Sequence, residues 1–151
     1  MSALAKRIAD EMKAALLGGN RFRGDVLRNV KAALLNEEVA TGKRDSGLSD
    51  AEVETVLARE VKKRLESAAM YRDNGRAELA EPEEAEAAIL REFLPKQLSD
   101  DELRAVVVRV VEAMQAGPAQ MGQVIGAVKQ EVGTAADGAA IAAMVKTIVM
   151  K

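Results

Sequence analysis

The sequence contains no cysteine, no histidine and no tryptophan, and its only aromatic residues are Phe22, Tyr71 and Phe93. Without thiols there is no disulfide and no thiolate nucleophile. Without imidazole the commonest general base near neutral pH is missing, together with the usual zinc and haem ligands. The shortage of aromatics leaves cores to be built from Ala, Val, Leu, Ile and Met. That palette loses little side-chain freedom in a helix, whereas sheets draw on aromatic and β-branched residues together. Long apolar runs are missing as well. The longest, Ala139 to Val145, is too short to span a bilayer, and the first residues mix Lys6 and Arg7 with Asp10 and Glu11 and hold no apolar stretch of signal-peptide length. A cytoplasmic protein without a membrane partner is expected. Nor does charge of one sign dominate: 22 basic and 24 acidic residues give a net charge of -2, so a polyanion would have to be met by a local patch.

What is present is helical period, punctuated by start and stop signals. Leu4, Ile8, Met12, Ala15 and Leu16 form a stripe ending at Gly18-Gly19, and Val26, Leu27, Val30, Ala33 and Leu34 form a second ending near Gly42. Ser49 with Glu52 is a capping box that opens a long helix carrying Val53, Val56, Leu57, Val61 and Leu65, which stops at Asn74-Gly75. Proline inside a helix loses a hydrogen bond at a cost of about 3 kcal/mol but fits the first turn. Pro82 therefore predicts a short turn over 76–80 and a fresh helix from Pro82 to Phe93, with Ala85, Ala88, Ile89 and Phe93 facing inward. Beyond Pro95, Ser99 with Glu102 opens a helix with Leu103, Val106, Val107, Val110, Val111 and Met114 on one face, stopped by Gly117-Pro118. Met121, Val124, Ile125, Val128 and Val132 mark another, and Ile141, Met144, Val145, Ile148 and Val149 the last. The expected fold is all-α: an N-terminal four-helix bundle-like domain over residues 1–95 and a small three-helix domain over 96–151.

Two stretches carry a resemblance. Leu94-Pro95-Lys96-Gln97-Leu98-Ser99, followed by Asp100-Asp101-Glu102, and Met121-Gly122-Gln123-Val124-Ile125-Gly126, with Ala136-Asp137-Gly138 further on, resemble motifs of the GatB/YqeY family. Val26-Leu27-Arg28, Asn36-Glu37 and Gly75-Arg76 support it, in the same order along nearly the whole chain. The resemblance implies a helical bundle followed by a three-helix domain, and similarity to the tail of the B subunit of the glutamine-dependent aspartyl/glutamyl-tRNA amidotransferase, a tail that helps hold tRNA. Many members carry Lys-Gly-Arg or Lys-Gly-Lys before the Ala-Asp-Gly turn. Here the stretch Val132 to Gly138 has no basic residue, which removes two contacts that would suit phosphate. Pro82 is a second departure, since that stretch is continuous helix in members of the family.

Each candidate feature has a structural and a functional reading. Gly122 and Gly126, four apart on a helix, either permit a tight helix crossing inside the small domain or let an RNA backbone approach closely. Arg59, Lys62 and Lys63, beside Arg64, form either a basic patch or a solvated face paired with Glu60 and Glu66. From Lys96 onward six basic residues balance six acidic ones, and no aromatic is there to stack on a base. Lys129 and Lys146 are the best phosphate-contact candidates of that domain. The acidic run Glu78, Glu81, Glu83, Glu84 and Glu86 reads as a solvated face, because carboxylate-bridged metal sites in bundles pair Glu with His three residues on.

These readings predict a non-catalytic binding module that engages tRNA or a tRNA-linked protein complex, or alternatively a protein-protein adaptor or homo-oligomeric interaction protein. No catalytic, cofactor-binding or metal-ligating residue is expected. The family's association with carbon-nitrogen ligation using glutamine as amido donor finds no nucleophile-base pair and no phosphate-cradling loop in this chain.

Overall fold

The computed structural model describes residues 1–151 and contains seven α-helices and no strand. It divides into two compact units, Met1–Leu94 and Pro95–Lys151.

In the first unit, α1 (Ala3–Leu17) starts where the Ser2 hydroxyl accepts from the Ala5 N–H, and α2 (Arg21–Ala40) where the Asn20 side chain accepts from the Arg23 N–H. Each cap satisfies a donor that the first helical turn would leave unpaired. The two helices approach closely at Gly24, where an added Cβ would stand 2.4 Å from Leu16 Cδ2. The helix α3 (Asp50–Asp73) begins at the capping box of Ser49 and Glu52, both halves of which are formed. Ile8, Val26, Leu27, Val30, Leu34, Val53, Val56, Leu57, Leu90 and Phe93 make the core where these helices meet α4 (Ala77–Arg91).

The structure corrects two expectations about α4. The helix does not start at Pro82; it starts at Ala77 and runs through the proline. Pro82 and Glu78, whose carbonyl would have received the missing N–H, are both exposed, so the lost bond falls on the solvent side of the helix. Ala80, fully buried, ties the first turn in place. The inward face is also different: Ala80, Ala87, Leu90 and Phe93 are buried, whereas Ala85 and Ala88 are exposed. Where α3 and α4 run on beyond the aliphatic core, Ala68 and Ala80 are the residues that close the seam.

In the second unit, α5 (Asp100–Met114) starts at the capping box of Ser99 and Glu102. A single turn of 3-10 helix leads into α6 (Met121–Val132), and another, Gly133–Ala135, separates it from α7 (Gly138–Val149). Leu103, Val107, Val110, Val124, Val128, Ile141, Val145 and Val149 form its core. Met114, expected on the buried stripe, is exposed instead, because α5 ends there and Gln115 turns left-handed at φ 50°.

Candidate functional site

The basic residues of α3 are largely occupied by neighbours. Arg59 reaches Glu37 of α2 at 3.3 Å, Lys63 meets Glu60 at 3.2 Å, and Arg64 meets Glu60 at 3.1 Å. Lys62 is engaged as well. Burial pushes the Glu60 carboxyl up, but hydrogen bonds from Arg64 and Lys63 outweigh it and hold the group below its usual range. Arg64, with its side chain only 12% exposed, lies 3.9 Å from Glu86 of α4, and its Nε has no hydrogen-bond partner. Burial raises the Glu86 carboxyl. This face thus spends much of its charge inside the protein, which limits what remains for phosphate.

The acidic run of α4 is paired in the same way: Glu84 is bound by Arg72, Glu78 by Arg76 at 2.9 Å, and Glu86 lies against Arg64. No group of three or more acidic side chains lies close enough together to hold a metal ion.

Sequence reasoning missed a second network. Arg23 donates to Glu11 of α1 at 2.8 Å and to Glu92, just past α4, at 2.9 Å, while Arg7 donates to Glu11 at 2.7 Å. The Arg7 guanidinium stands 4.5 Å from the centre of the Phe93 ring and that of Arg23 at 5.8 Å, so a buried aromatic is covered by two cations. Burial alone would raise the Glu11 carboxyl, yet its bonds from Arg7 and Arg23 hold it below the ordinary range. No local spacing signals a network whose members lie 69 residues apart.

In the second unit the motif residues divide into two groups. The Leu-Pro-x-Gln-Leu-Ser stretch is structural. The Leu98 N–H donates to the Ala135 carbonyl at 2.8 Å, and the Gln97 amide donates to the Thr134 carbonyl at 2.9 Å. The junction is thereby clasped to the α6–α7 turn. Gly133, at φ 56° and ψ −127°, adopts a conformation open essentially to glycine alone, and Asp137 takes the N-cap position of α7.

Gly122 and Gly126 are otherwise. The expected tight crossing is absent: a Cβ added at either position would meet nothing within 4 Å, and both residues are exposed. The reason is helical geometry, since Val124 and Val128 turn inward and residues two positions away point to the opposite side. Lys129 follows Gly126 on that outward side. A Cβ on Gly138 would stand 3.5 Å from its Nζ, so the lysine side chain lies over the first turn of α7. Lys146 is exposed in the last turn of α7. Neither lysine enters an ion pair, and both complement the C-terminal dipole of their own helix. The structure therefore sets Gly122, Gly126 and Lys129 along one side of α6, Lys146 on the neighbouring helix, and Arg59, Lys62 and Lys63 in the other unit.

The family model described as Yqey-like protein matches residues 5–149. A protein of Clavispora lusitaniae named altered inheritance of mitochondria protein 41, mitochondrial, is 24% identical over 119 residues, covering 78% of this chain and 68% of that protein. An uncharacterized protein of Schizosaccharomyces pombe is 30% identical over 99 residues, covering 66% of this chain and 75% of that protein.

Proposed function

Because this chain belongs to the YqeY-like family, we propose that it is a non-catalytic helical binding module whose second unit engages RNA, tRNA in the first place, in the cytoplasm. The observation that carries the reading is the bare outward face of α6. Gly126, in the interior of a twelve-residue helix, costs about 1 kcal/mol relative to alanine, and Gly122 adds a second bare position in the first turn. Elsewhere in this unit the motif residues are explained by clasps, caps and core contacts, but Gly122 and Gly126 touch nothing that would explain them. Their lack of side chains lets a sugar-phosphate backbone lie against the helix, and Lys129 and Lys146 supply the unpaired cations. With no aromatic residue after Phe93, contact is to backbone and shape rather than to stacked bases. The resemblance to the tRNA-holding tail of the amidotransferase B subunit points the same way.

A salt-titrated binding assay with bulk tRNA tests this. The expected result is affinity in or tighter than the micromolar range at physiological salt, with the salt slope falling by about 1 on Lys129→Gln and again on Lys146→Gln. Affinity no better than that of an unrelated polyanion such as heparin, unaffected by either substitution, would sink the proposal.

A second reading, a protein-protein adaptor, has one observation in its favour. Met70, 67% exposed, Tyr71 and Leu79 gather at the end of the α3–α4 hairpin. Affinity capture from lysate with nuclease-treated and untreated arms separates the two, because RNA-borne partners are lost on nuclease treatment and direct protein partners are kept.

A further inference from the structure

Two groups of exposed apolar side chains in the first unit stand beside carboxylates. Leu35 and Val39 flank Glu37 and Glu38 on α2, and Met70, Tyr71 and Leu79 share their hairpin end with Asp73, Glu78 and Glu81. The α1–α2 turn is different. From Met12 to Gly24 there is no acidic residue, while Lys13, Arg21 and Arg23 contribute three cations. Glu11 and Glu92 occupy Arg23. Lys13 and Arg21 are exposed and enter no ion pair. At the apex, Leu17 is 80% exposed and Phe22 46%, joined across Gly18, Gly19 and Asn20, with Gly19 at φ +82° making the turn.

Shape and charge together identify what can cover this apex. A stable protein interface buries about 800 Å² on each partner, and two side chains at the end of a helical hairpin offer far less. A lipid headgroup layer needs no matching contour. Apolar side chains sink into the acyl boundary while cations remain with anionic headgroups. The turn from Met12 to Gly24 carries three cations and no carboxylate, so it is the charge complement of an anionic surface. We infer that the α1–α2 turn is a reversible contact site for an anionic lipid surface, with Leu17 and Phe22 entering the bilayer and Lys13 and Arg21 meeting headgroup phosphates. Two apolar anchors and two cations give weak binding, of the kind a single acyl chain provides, on the order of 10⁴ M⁻¹. The site lies in the first unit and uses none of the residues assigned to RNA.

The test sediments the full chain with phosphatidylcholine vesicles that do or do not carry phosphatidylserine. The chain is expected to pellet with the anionic vesicles and stay in solution with the neutral ones. Lys13→Gln and Arg21→Gln should each weaken binding about fivefold. The double variant Leu17→Ser, Phe22→Ser should return the chain to the supernatant with an unchanged circular dichroism spectrum, since both side chains are surface-exposed. Failure of the wild type to pellet with anionic vesicles overturns the inference, as does a double variant that pellets like the wild type. A third arm with bulk tRNA separates the two surfaces: loss of tRNA binding in the Lys13 and Arg21 variants with vesicle binding intact would make the turn an RNA contact and overturn the lipid assignment.

Discussion

In the first unit charged side chains reach between helices, Arg23 joining α1 to the end of α4 and Arg64 lying against carboxylates of both α3 and α4. In the second, the long-range polar ties are mostly made to the backbone. Gln97 and Leu98 hold the α6–α7 turn by its carbonyls, and Arg109 to Glu131 is the ion pair that links α5 to α6. Both cores use the same aliphatic residues. A unit that directs its charges onto itself keeps fewer for a partner, whereas one tied through its backbone leaves helix faces bare. That difference is why the proposed RNA surface falls on α6 and α7 and not on α3, whose five basic residues stand among six acidic ones.

The comparison can be broken most forcefully at the first unit's core. Leu57→Ala removes a fully buried side chain and should lower stability by about 2–5 kcal/mol. Tyr71 fluorescence reports the first unit alone, since the second has no aromatic residue. Its midpoint in urea should fall sharply. If Tyr71 and whole-chain circular dichroism continue to report one shared transition, the two units are not independent.

Next in size is a contrast of sign between glycines. Gly24→Ala drives a methyl against Leu16 and should cost about 1–3 kcal/mol, the usual penalty of overpacking. Gly122→Ala and Gly126→Ala place their methyls in open space and should stabilise, Gly126→Ala in the helix interior by about 0.5–1 kcal/mol and Gly122→Ala in the first turn by less. Urea titration of the three variants reads this directly. A loss of stability at Gly122 or Gly126 would mean that the α6 face is covered within the chain.

Helix starts were legible wherever the signal was local. Both Ser-Glu capping boxes, at Ser49 and Ser99, form as their spacing requires, because cap and partner sit within one turn. Pro82 misled for a physical reason: the rule counts one lost hydrogen bond, and here that loss is at the solvent side while Ala80 is buried at the helix start. The phase of α4 was ambiguous because alanine occurs on every side of it, so period alone does not select the buried stripe. The outward direction of Gly122 and Gly126 was in the sequence, since Val124 and Val128 had already claimed the opposite side. The Arg7, Arg23, Glu11, Glu92 and Phe93 network was not, because its members meet only after three helices have packed.

A smaller effect is expected from acid. The Glu11 and Glu60 carboxyls have folded-state values below the ordinary 4.5, so their pairing adds stability that is present above that value and lost as pH falls through and below it. Glu86 is shifted the other way by burial and offsets part of the loss. Thermal unfolding followed through Tyr71 should therefore weaken more steeply below pH 4.5 than unfolding of the second unit followed by methyl NMR of Val124 and Val128. Parallel loss in the two units would remove the electrostatic half of the contrast.

Whether the bare face of α6 receives an RNA backbone is tested most directly by the double variant Gly122→Ala, Gly126→Ala, because it adds only two methyls to open surface. Its tRNA affinity and its urea midpoint are measured together against the wild type. Weaker tRNA binding in a more stable protein is the predicted result; a more stable protein that binds tRNA as well as the wild type would contradict it.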